Sequence, residues 1–470
     1  MRHRAQSDPF ARRGVEKFLE SALLDVALTH ELEQNAEWLD RAAELFARSD
    51  FAAETLIRDP HAIERIFRTD DAGARELPFL PTMESLRRRE HDETLRAAAK
   101  SILGETKPFE TFAELTRIAE ESVRGALELA AREDEVASGP STAPATAGML
   151  RASEWLVTRK SNNTKTEPES AMAGGALRDA PFAVIALGRL GAGEFDIGSD
   201  ADVVFLTGPN VSEEEMVAWR RPAERFIHVA GSYTSEGLLL PVDTRLRPRG
   251  GEGEIVQGAK YFVEYFSRDA EGWEAATYLK ARAVAGNVAL GEKILGEMRS
   301  ALRKRFSAAH GGDPAELRRQ LVHMRERLER ERPEGETGFK TSAGGFFDIE
   351  YVVAFLALTG GIATANPGNV LRQIEVLEKS GASPGRAGLS EKDARALWEA
   401  AMFYRSLDHA MRLALGRASN ALPEPAQMPR VMAMMKEWGV VIHGNLFDAV
   451  ASLRRAVRQI YETTVIEDSR

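Results

Sequence analysis

The stretch "ALGRLGAGEFDIGSDADVVFLTG", residues 186–208, joins a glycine-rich turn to an apolar run. Four glycines precede the pair Asp200 and Asp202, and Val203 to Leu206 follow it. This composition fits a loop that binds phosphate, a metal site, or an ordinary turn that leads into a core strand. The residues around the stretch decide between these interpretations.

The strand signals of the chain are concentrated around this stretch. Short apolar runs bounded by Gly or Pro predict strands, and they occupy residues 182–188, 202–208 and 237–248. A helical pattern lies between the second and third runs, and Ser212 with Glu215 predicts a capping box at its start. We therefore expect a small module that combines a sheet with helices at about 180–250.

Most of the remaining sequence has helical spacing. In the N-terminal part, Ser49 or Asp50 is the expected N-cap of one helix, and Pro60 marks a break. In the C-terminal part, apolar stripes predict the core faces of a helical bundle, and they occupy residues 317–328, 349–356 and 446–460.

The predicted fold is α+β and mostly helical, with a small mixed sheet. Its expected regions are an N-terminal helical part at 1–135, a central part at 145–300 and a C-terminal helical bundle at 305–470. Polar, breaker-rich segments predict loops on both sides of a short helix at 149–159, and they occupy 137–148 and 161–175.

Composition excludes several classes of function. The chain of 470 residues has 62 basic and 72 acidic side chains, so its net charge of −10 disfavours a nucleic-acid partner. It has no cysteine, which excludes disulfides and thiolate metal sites. No apolar run is long enough for a membrane span, and no secretory signal is evident at the N-terminus. We therefore expect a cytoplasmic protein without a membrane partner.

The acidic pair is the first candidate for chemistry. Asp200 and Asp202 are two residues apart at the entry to a predicted strand, so both carboxylates point to one face. Two carboxylates on one face repel each other unless a cation lies between them, and oxygen ligands suit Mg²⁺ or Mn²⁺. An Asp-x-Asp pair in a loop is more often a solvated turn, but here a buried strand follows directly.

A third acid strengthens this interpretation. Asp243 is embedded in the apolar run at 237–248, and Arg245, Arg247 and Arg249 follow at alternating positions. Strand periodicity would place Asp243, Arg245 and Arg247 on one face, where carboxylates bind cations and guanidiniums bind phosphate oxygens. The alternative is a structural Asp–Arg ion pair.

The glycines supply the remaining part of the predicted site. Gly188, Gly191 and Gly193 follow the first strand, and Gly198 with Ser199 precedes the acids. Backbone N–H groups at such a turn can bind phosphate. The spacing excludes both a Walker loop, since no Gly-Lys-Ser/Thr follows, and the dinucleotide-binding fingerprint of Rossmann folds. Together, these features indicate two-metal nucleotidyl transfer, with Asp202 and Asp243 on the side of the nucleophile and Asp200 shared by both ions.

The sequence resembles the glutamine synthetase adenylyltransferases. The resemblance extends over residues 35–465 and rests on "ALGRLGAGEFDIGSDADVVFL", "VDTRLRPRGGEGEIV", "WEAATYLKARAVAG" and "GGFFDIEYVVAFLAL", which occur in the family's order. It implies a polymerase-β-like nucleotidyltransferase core at 145–300 followed by the helical bundle. It also implies transfer of AMP from ATP to a tyrosine of glutamine synthetase, or phosphorolytic removal of that AMP, with Mg²⁺ or Mn²⁺ as the cofactor.

The resemblance assigns roles to individual residues. The implied catalytic and metal-binding residues are Asp200, Asp202 and Asp243. The expected nucleotide-binding residues are Gly188, Gly191, Gly198, Ser199, Arg245, Arg247, Lys280 and Arg282. A solvated helix face is the alternative for Lys280 and Arg282. Asp348 is expected to cap the start of a helix, with Asp348 or Glu350 facing the cleft.

The chain departs from the family in carrying one catalytic unit where two in tandem are usual. The form "GSDAD" and the segment "NPGNVLRQIEVL" resemble the half that adds AMP. Two other hypotheses remain: a different nucleotidyltransferase, such as a uridylyltransferase or a tRNA-end polymerase, and a non-catalytic module that binds glutamine synthetase or a PII signalling protein. The net charge argues against tRNA, and the three intact acids argue against a silent module.

Overall fold

A computed structural model describes residues 9–68, 82–138, 177–331, 338–362, 368–381 and 388–466. The helix predicted at 149–159 and the loop predicted at 161–175 lie outside the described residues. So does the loop predicted at 137–148, apart from residues 137 and 138, which end a helix. In the described part of the chain, no helix combines the length and apolarity needed to cross a bilayer.

The N-terminal part is helical, as its sequence pattern predicts. Its helices are α1 Pro9–Ala22, α2 Val26–Gln34, α3 Ala36–Arg48, α4 Asp50–Arg58, α5 Ala62–Phe67, α6 Met83–Ile102 and α7 Pro108–Ser138. The predicted cap is confirmed, because the hydroxyl of Ser49 accepts a hydrogen bond from the N–H of Ala52 at the start of α4. The helix ends just before Pro60, where the sequence predicts a break.

A mixed sheet follows, with helices between its strands. The strands are β1 Phe182–Ala186, β2 Ala201–Thr207, β3 Val242–Asp243, β4 Val256–Gly258 and β5 Arg282–Gly286. The intervening helices are α8 Gly188–Ala192, α9 Glu213–Gly231, α10 Ala259–Arg268 and α11 Gly272–Tyr278, and α12 Val288–Phe306 follows the last strand. The strand order is β3-β2-β1-β5, and β4 also pairs with β2. β1 is antiparallel to β2 and β5, whereas β3 and β4 are parallel to β2.

Helices cover both faces of this sheet, which explains why β1 and β2 read as continuous apolar runs. On one face the ring of Phe182 stacks on Trp219 of α9 at 5.0 Å, and Phe205 contacts Phe226 of α9 at 5.6 Å. On the other face α12 approaches so closely that a methyl group at Gly291 would lie 2.7 Å from the side chain of Ala283. The predicted capping box of α9, formed by Ser212 and Glu215, is confirmed.

The prediction of a third strand at residues 237–248 is largely wrong. Of residues 237–248, only Val242–Asp243 forms a strand, because the chain turns directly after Asp243. The strand parity assumed for Asp243, Arg245 and Arg247 therefore does not exist. Sequence reasoning also missed β4 and β5, which are short and contain glycine and alanine, and it assigned that part of the chain to helices.

The C-terminal bundle contains the helices that the apolar stripes predict. They are α13 Pro314–Arg330, α14 Phe346–Thr359, α15 Val370–Gly381, α16 Glu391–Leu415, α17 Met428–Glu437 and α18 Leu446–Tyr461, and a π-helical turn at Glu462–Ile466 follows. Leu317 and Leu321 of α13 and Ile349 and Val352 of α14 are fully buried, as expected of core faces. Most of α16 is buried as well, and this helix is the central element of the bundle.

A buried ion cluster joins the glycine-rich turn to α16. Arg189 donates to Asp408 at 2.6 Å and to Asp196 at 3.1 Å. Asp408 also contacts Lys340 at 2.7 Å and Arg412 at 3.2 Å. Burial alone would raise the pKa of Asp408, but the charges of Arg189, Arg412 and Lys340 outweigh it and lower that pKa.

The same turn has a second attachment to the bundle. Glu194 lies 2.6 Å from the guanidinium of Arg405 on α16, and it accepts a hydrogen bond of 2.7 Å from the N–H of Val370 at the start of α15. Asp196 pairs with His409 at 2.7 Å. The acids of the motif "GEFD" therefore attach the turn to the bundle and do not face the predicted metal site.

Asp408→Asn should destabilise the protein by about 3–5 kcal/mol, because it removes the carboxylate that the mostly buried cations Arg189, Arg412 and Lys340 share. The measurement is the midpoint of urea or thermal unfolding. Glu399→Gln on the same helix is the matched control, since Glu399 forms an exposed ion pair with Arg395 at 2.9 Å and should change stability by no more than about 0.5 kcal/mol. Equal stability of the two variants would contradict a structural role for the cluster.

Candidate active site

Three carboxylates meet at one edge of the sheet. The register of the parallel pair β2–β3 places Asp202 directly opposite Asp243, and adjacent strands lie about 4.8 Å apart. Asp200 lies just before β2, two residues from Asp202, and its negative charge acts on Asp202. The sheet thus brings together the three acids that the sequence analysis singles out.

The environment of Asp202 differs from that of an ordinary surface acid. Asp202 is half-buried, and burial raises its pKa to about 7, with further contributions from the negative charges of Asp243 and Asp200. The positive charges of Lys280 and Arg245 lower the pKa of Asp202, but they do not offset the rise. The acid cluster therefore has excess negative charge around Asp202, which favours a cation at this point.

Gly188 must be glycine because it lies directly against Asp202. Its φ is +54°, in the left-handed region, and a side-chain carbon at this position would collide with the carboxylate of Asp202. Gly191 is equally constrained, since a methyl group there would lie 2.7 Å from the carbonyl oxygens of Ala186 and Lys280. The glycine-rich turn thus follows the acid site closely.

The structure gives Gly198 and Ser199 partners in the bundle. Ser199 is buried, and Arg412 of α16 donates to its hydroxyl at 3.3 Å. A methyl group at Gly198 would lie 3.7 Å from the carbonyl oxygen of Gly416, just beyond the end of α16. The sequence predicts that both residues bind nucleotide; in the structure, Ser199 attaches the segment just before Asp200 to the bundle.

Arg245 binds Asp243 through several contacts. Its Nε donates to both carboxylate oxygens at 3.0 and 2.9 Å, its Nη2 donates to Oδ2 at 2.5 Å, and its backbone N–H donates to Oδ1 at 2.8 Å. These hydrogen bonds lower the pKa of Asp243. The Arg245 side chain is 81% exposed, so its guanidinium is held from one side only.

The other predicted cations have different partners. Arg247 donates to the backbone carbonyls of Thr244, Gly251 and Gly253 and so folds the loop after β3. Arg282 lies on β5 and not on a helix; it pairs with Glu120 of α7 and donates to the carbonyl oxygen of Leu190 at 2.9 Å.

Lys280 connects the acid site to the bundle. Its ammonium pairs with Glu350 on α14, and both side chains are mostly buried. Asp348, two residues earlier, points elsewhere and forms a buried ion pair with Arg325. Of the two acids predicted to face the cleft, Glu350 is therefore the one at the site.

The carboxylate oxygens of the three acids suit a hard divalent cation, although they do not surround a single point in this structure. Carboxylate oxygens are the ligands that Mg²⁺ and Mn²⁺ prefer. Among the described residues, no three acidic or histidine side chains already surround one point. Arg245 donates to both carboxylate oxygens of Asp243, so its guanidinium competes with any cation that binds all three acids.

Two known protein families match parts of this chain. Residues 141–297 match the family described as "Glutamate-ammonia ligase adenylyltransferase". Residues 315–465, which form most of the bundle, match the family described as "GlnD PII-uridylyltransferase".

Curated relatives carry the name "Bifunctional glutamine synthetase adenylyltransferase/adenylyl-removing enzyme". The relative from Mycolicibacterium smegmatis is 31% identical over 287 residues, which cover 60% of this chain and 28% of the relative. The relative from Streptomyces avermitilis is 34% identical over 253 residues, which cover 52% of this chain and 24% of the relative. The relative from Nitrosococcus oceani is 30% identical over 351 residues, which cover 70% of this chain and 32% of the relative.

The aligned part of the chain thus spans between 24% and 32% of the length of these three relatives. All three acids of the site lie inside the segment 141–297, which is similar to the glutamate-ammonia ligase adenylyltransferase family.

Proposed function

We propose that this chain is a metal-dependent nucleotidyltransferase that transfers AMP from ATP to a tyrosine hydroxyl of glutamine synthetase. The observation that carries the proposal is the convergence of Asp200, Asp202 and Asp243 at one sheet edge, inside the segment that matches the adenylyltransferase family. The names of the curated relatives support glutamine synthetase as the protein substrate.

The reaction is a displacement at the α-phosphorus of ATP. The tyrosine oxygen forms a bond to this phosphorus, the bond to the bridging oxygen breaks, pyrophosphate leaves, and the tyrosine proton passes to solvent. Asp200, Asp202 and Asp243 would hold Mg²⁺ or Mn²⁺, which lowers the pKa of the attacking hydroxyl and neutralises the phosphate charge. Asp202 and Asp243 are placed on the side of the nucleophile.

Phosphate binding falls to the groups that face the acids. Gly188 has no side chain, so the backbone of the turn lies directly against Asp202, and the N–H groups of this turn would bind phosphate. Arg245 and Lys280 supply positive charge, which acts on Asp202 in the structure. The other predicted nucleotide-binding residues would hold the surrounding backbone in place through the contacts described above. They are Gly191, Gly198, Ser199, Arg247 and Arg282.

Phosphorolytic removal of AMP is the second candidate, because the names of the relatives contain both activities. In this direction an oxygen of inorganic phosphate forms a bond to the phosphorus of the tyrosine-bound AMP and the bond to the tyrosine oxygen breaks. The tyrosine oxygen takes up a proton, and ADP is released as the product. The match of residues 315–465 to a PII-uridylyltransferase family favours a PII signalling protein as a further partner. The proposed location is the cytoplasm, where ATP is available.

The direction can be determined with two incubations. The protein is mixed with glutamine synthetase and α-labelled ATP, and separately with adenylylated glutamine synthetase and phosphate. Label on the synthetase supports transfer, and ADP in the second mixture supports removal. Activity in neither mixture would contradict both and would favour a non-catalytic binding module.

Asp202→Asn should lower turnover by about 100-fold or more, because it removes a charged ligand where negative charge must be compensated. The fold should be as stable as the wild type or more stable, since the charge of this half-buried carboxylate is unfavourable in the free protein. The measurements are label transfer and thermal unfolding. Glu252→Gln, a change at an exposed acid of the neighbouring loop, is the control, and full activity of Asp202→Asn would contradict the proposed role.

Arg245→Ala should strengthen the binding of Mn²⁺ several-fold in the absence of nucleotide, because metal and guanidinium compete for Asp243. In the wild type the displaced guanidinium of Arg245 is free to contact the phosphates of ATP. The variant lacks this contact and should therefore bind Mn²⁺–ATP more weakly. Free Mn²⁺ is measured by electron paramagnetic resonance. Arg249→Ala, at an exposed arginine of the same loop, is the matched control. Unchanged or weaker Mn²⁺ binding by Arg245→Ala would contradict the exchange.

A further inference from the structure

A cavity of about 200 Å³ lies on the bundle side of the acid site. Trp273, Ala276 and Thr277 of α11 line one side, and Phe347 and Tyr351 of α14 line another. These residues give the cavity mainly apolar and aromatic walls.

The polar end of the cavity adjoins the catalytic acids. Lys280 and Glu350, which form an ion pair, are both part of its lining. The charge of Lys280 is close enough to Asp202 to lower the pKa of this carboxyl. Lys280 thus belongs both to the cavity wall and to the surroundings of Asp202.

We propose that this cavity holds the nucleobase of the nucleotide substrate, an inference that rests on the function proposed above. A flat heteroaromatic ring matches aromatic walls, and stacking on such side chains is favourable for every base. The volume is below the range of about 300–1,000 Å³ typical of sites for whole drug-sized ligands. It fits one ring system, with the ribose and phosphates outside it.

The strand order favours the base over the other aromatic group of the reaction, the acceptor tyrosine. Along the sheet edge the order is Asp243 on β3, Asp202 on β2, Gly188 after β1 and Lys280 before β5. The acceptor hydroxyl enters on the side of Asp202 and Asp243. The cavity lies at the opposite end, beside Lys280, where the part of the nucleotide remote from the acceptor is expected.

The test compares two ligands that share phosphates and differ in the base: ATP and inorganic tripolyphosphate, both with Mg²⁺. Ala276→Trp fills the cavity, and Trp273→Ala removes one aromatic wall. Both variants should bind ATP at least about tenfold more weakly than the wild type, since loss of base stacking has effects of this size. Binding of tripolyphosphate should be unchanged, which also shows that the acid site remains folded.

The matched control is Ala301→Trp, which places the same bulky side chain in a separate cavity on α12, beside Val263 and Lys304. It should bind both ligands like the wild type. The inference is overturned if Ala276→Trp binds ATP normally, or if it loses ATP and tripolyphosphate equally. It is also overturned if this variant keeps ATP and loses only the acceptor protein. A wild-type protein that binds neither ligand would instead contradict the proposed function itself.

Discussion

The buried ion cluster around Asp196 and Asp408 is the constraint on which the geometry of the acid site depends. The turn between β1 and β2 contains only the five-residue helix α8, which is too short to hold its own position. Its charged groups are removed from water, so each must meet a partner of opposite charge with good geometry. Those partners lie on α16, and the two ends of the turn, Gly188 and Asp200, are therefore placed by the bundle.

The stretch from Glu194 to Asp202 thus contains two kinds of acid, which differ in the charges of their partners. Glu194 and Asp196 are fully buried and neutralised by cations of the bundle, so they have no capacity for a further ligand. Burial raises the pKa of Asp202 to about 7, and the negative charges of Asp243 and Asp200 contribute to this rise. A buried acid with matched cations is structural, whereas a half-buried acid among other acids favours a cation from outside the chain.

The sequence predicts the parts of this arrangement that depend on local pattern. β1, β2, the cap of α9 and the core faces of the bundle are all visible as apolar runs or capping residues. The three acids are visible because acids rarely adjoin apolar strands. The partners of the turn are not, since Asp196 and His409 are 213 residues apart and only the tertiary fold joins them. The arginines after Asp243 were misplaced because Thr244 begins a turn, and periodicity cannot foresee that break.

The two cations nearest the acids differ in freedom, and this difference indicates different roles. Lys280 is 16% exposed and Glu350 is 24% exposed, so this pair is shielded from solvent and holds the two parts of the site together. Arg245 is 81% exposed and reaches only its neighbour Asp243, and an ion pair of this kind is weakened by water and salt. The lysine is therefore the fixed charge of the site. In the proposed site the arginine is the charge that would move when a metal ion binds, because its exposed ion pair with Asp243 is the weaker of the two.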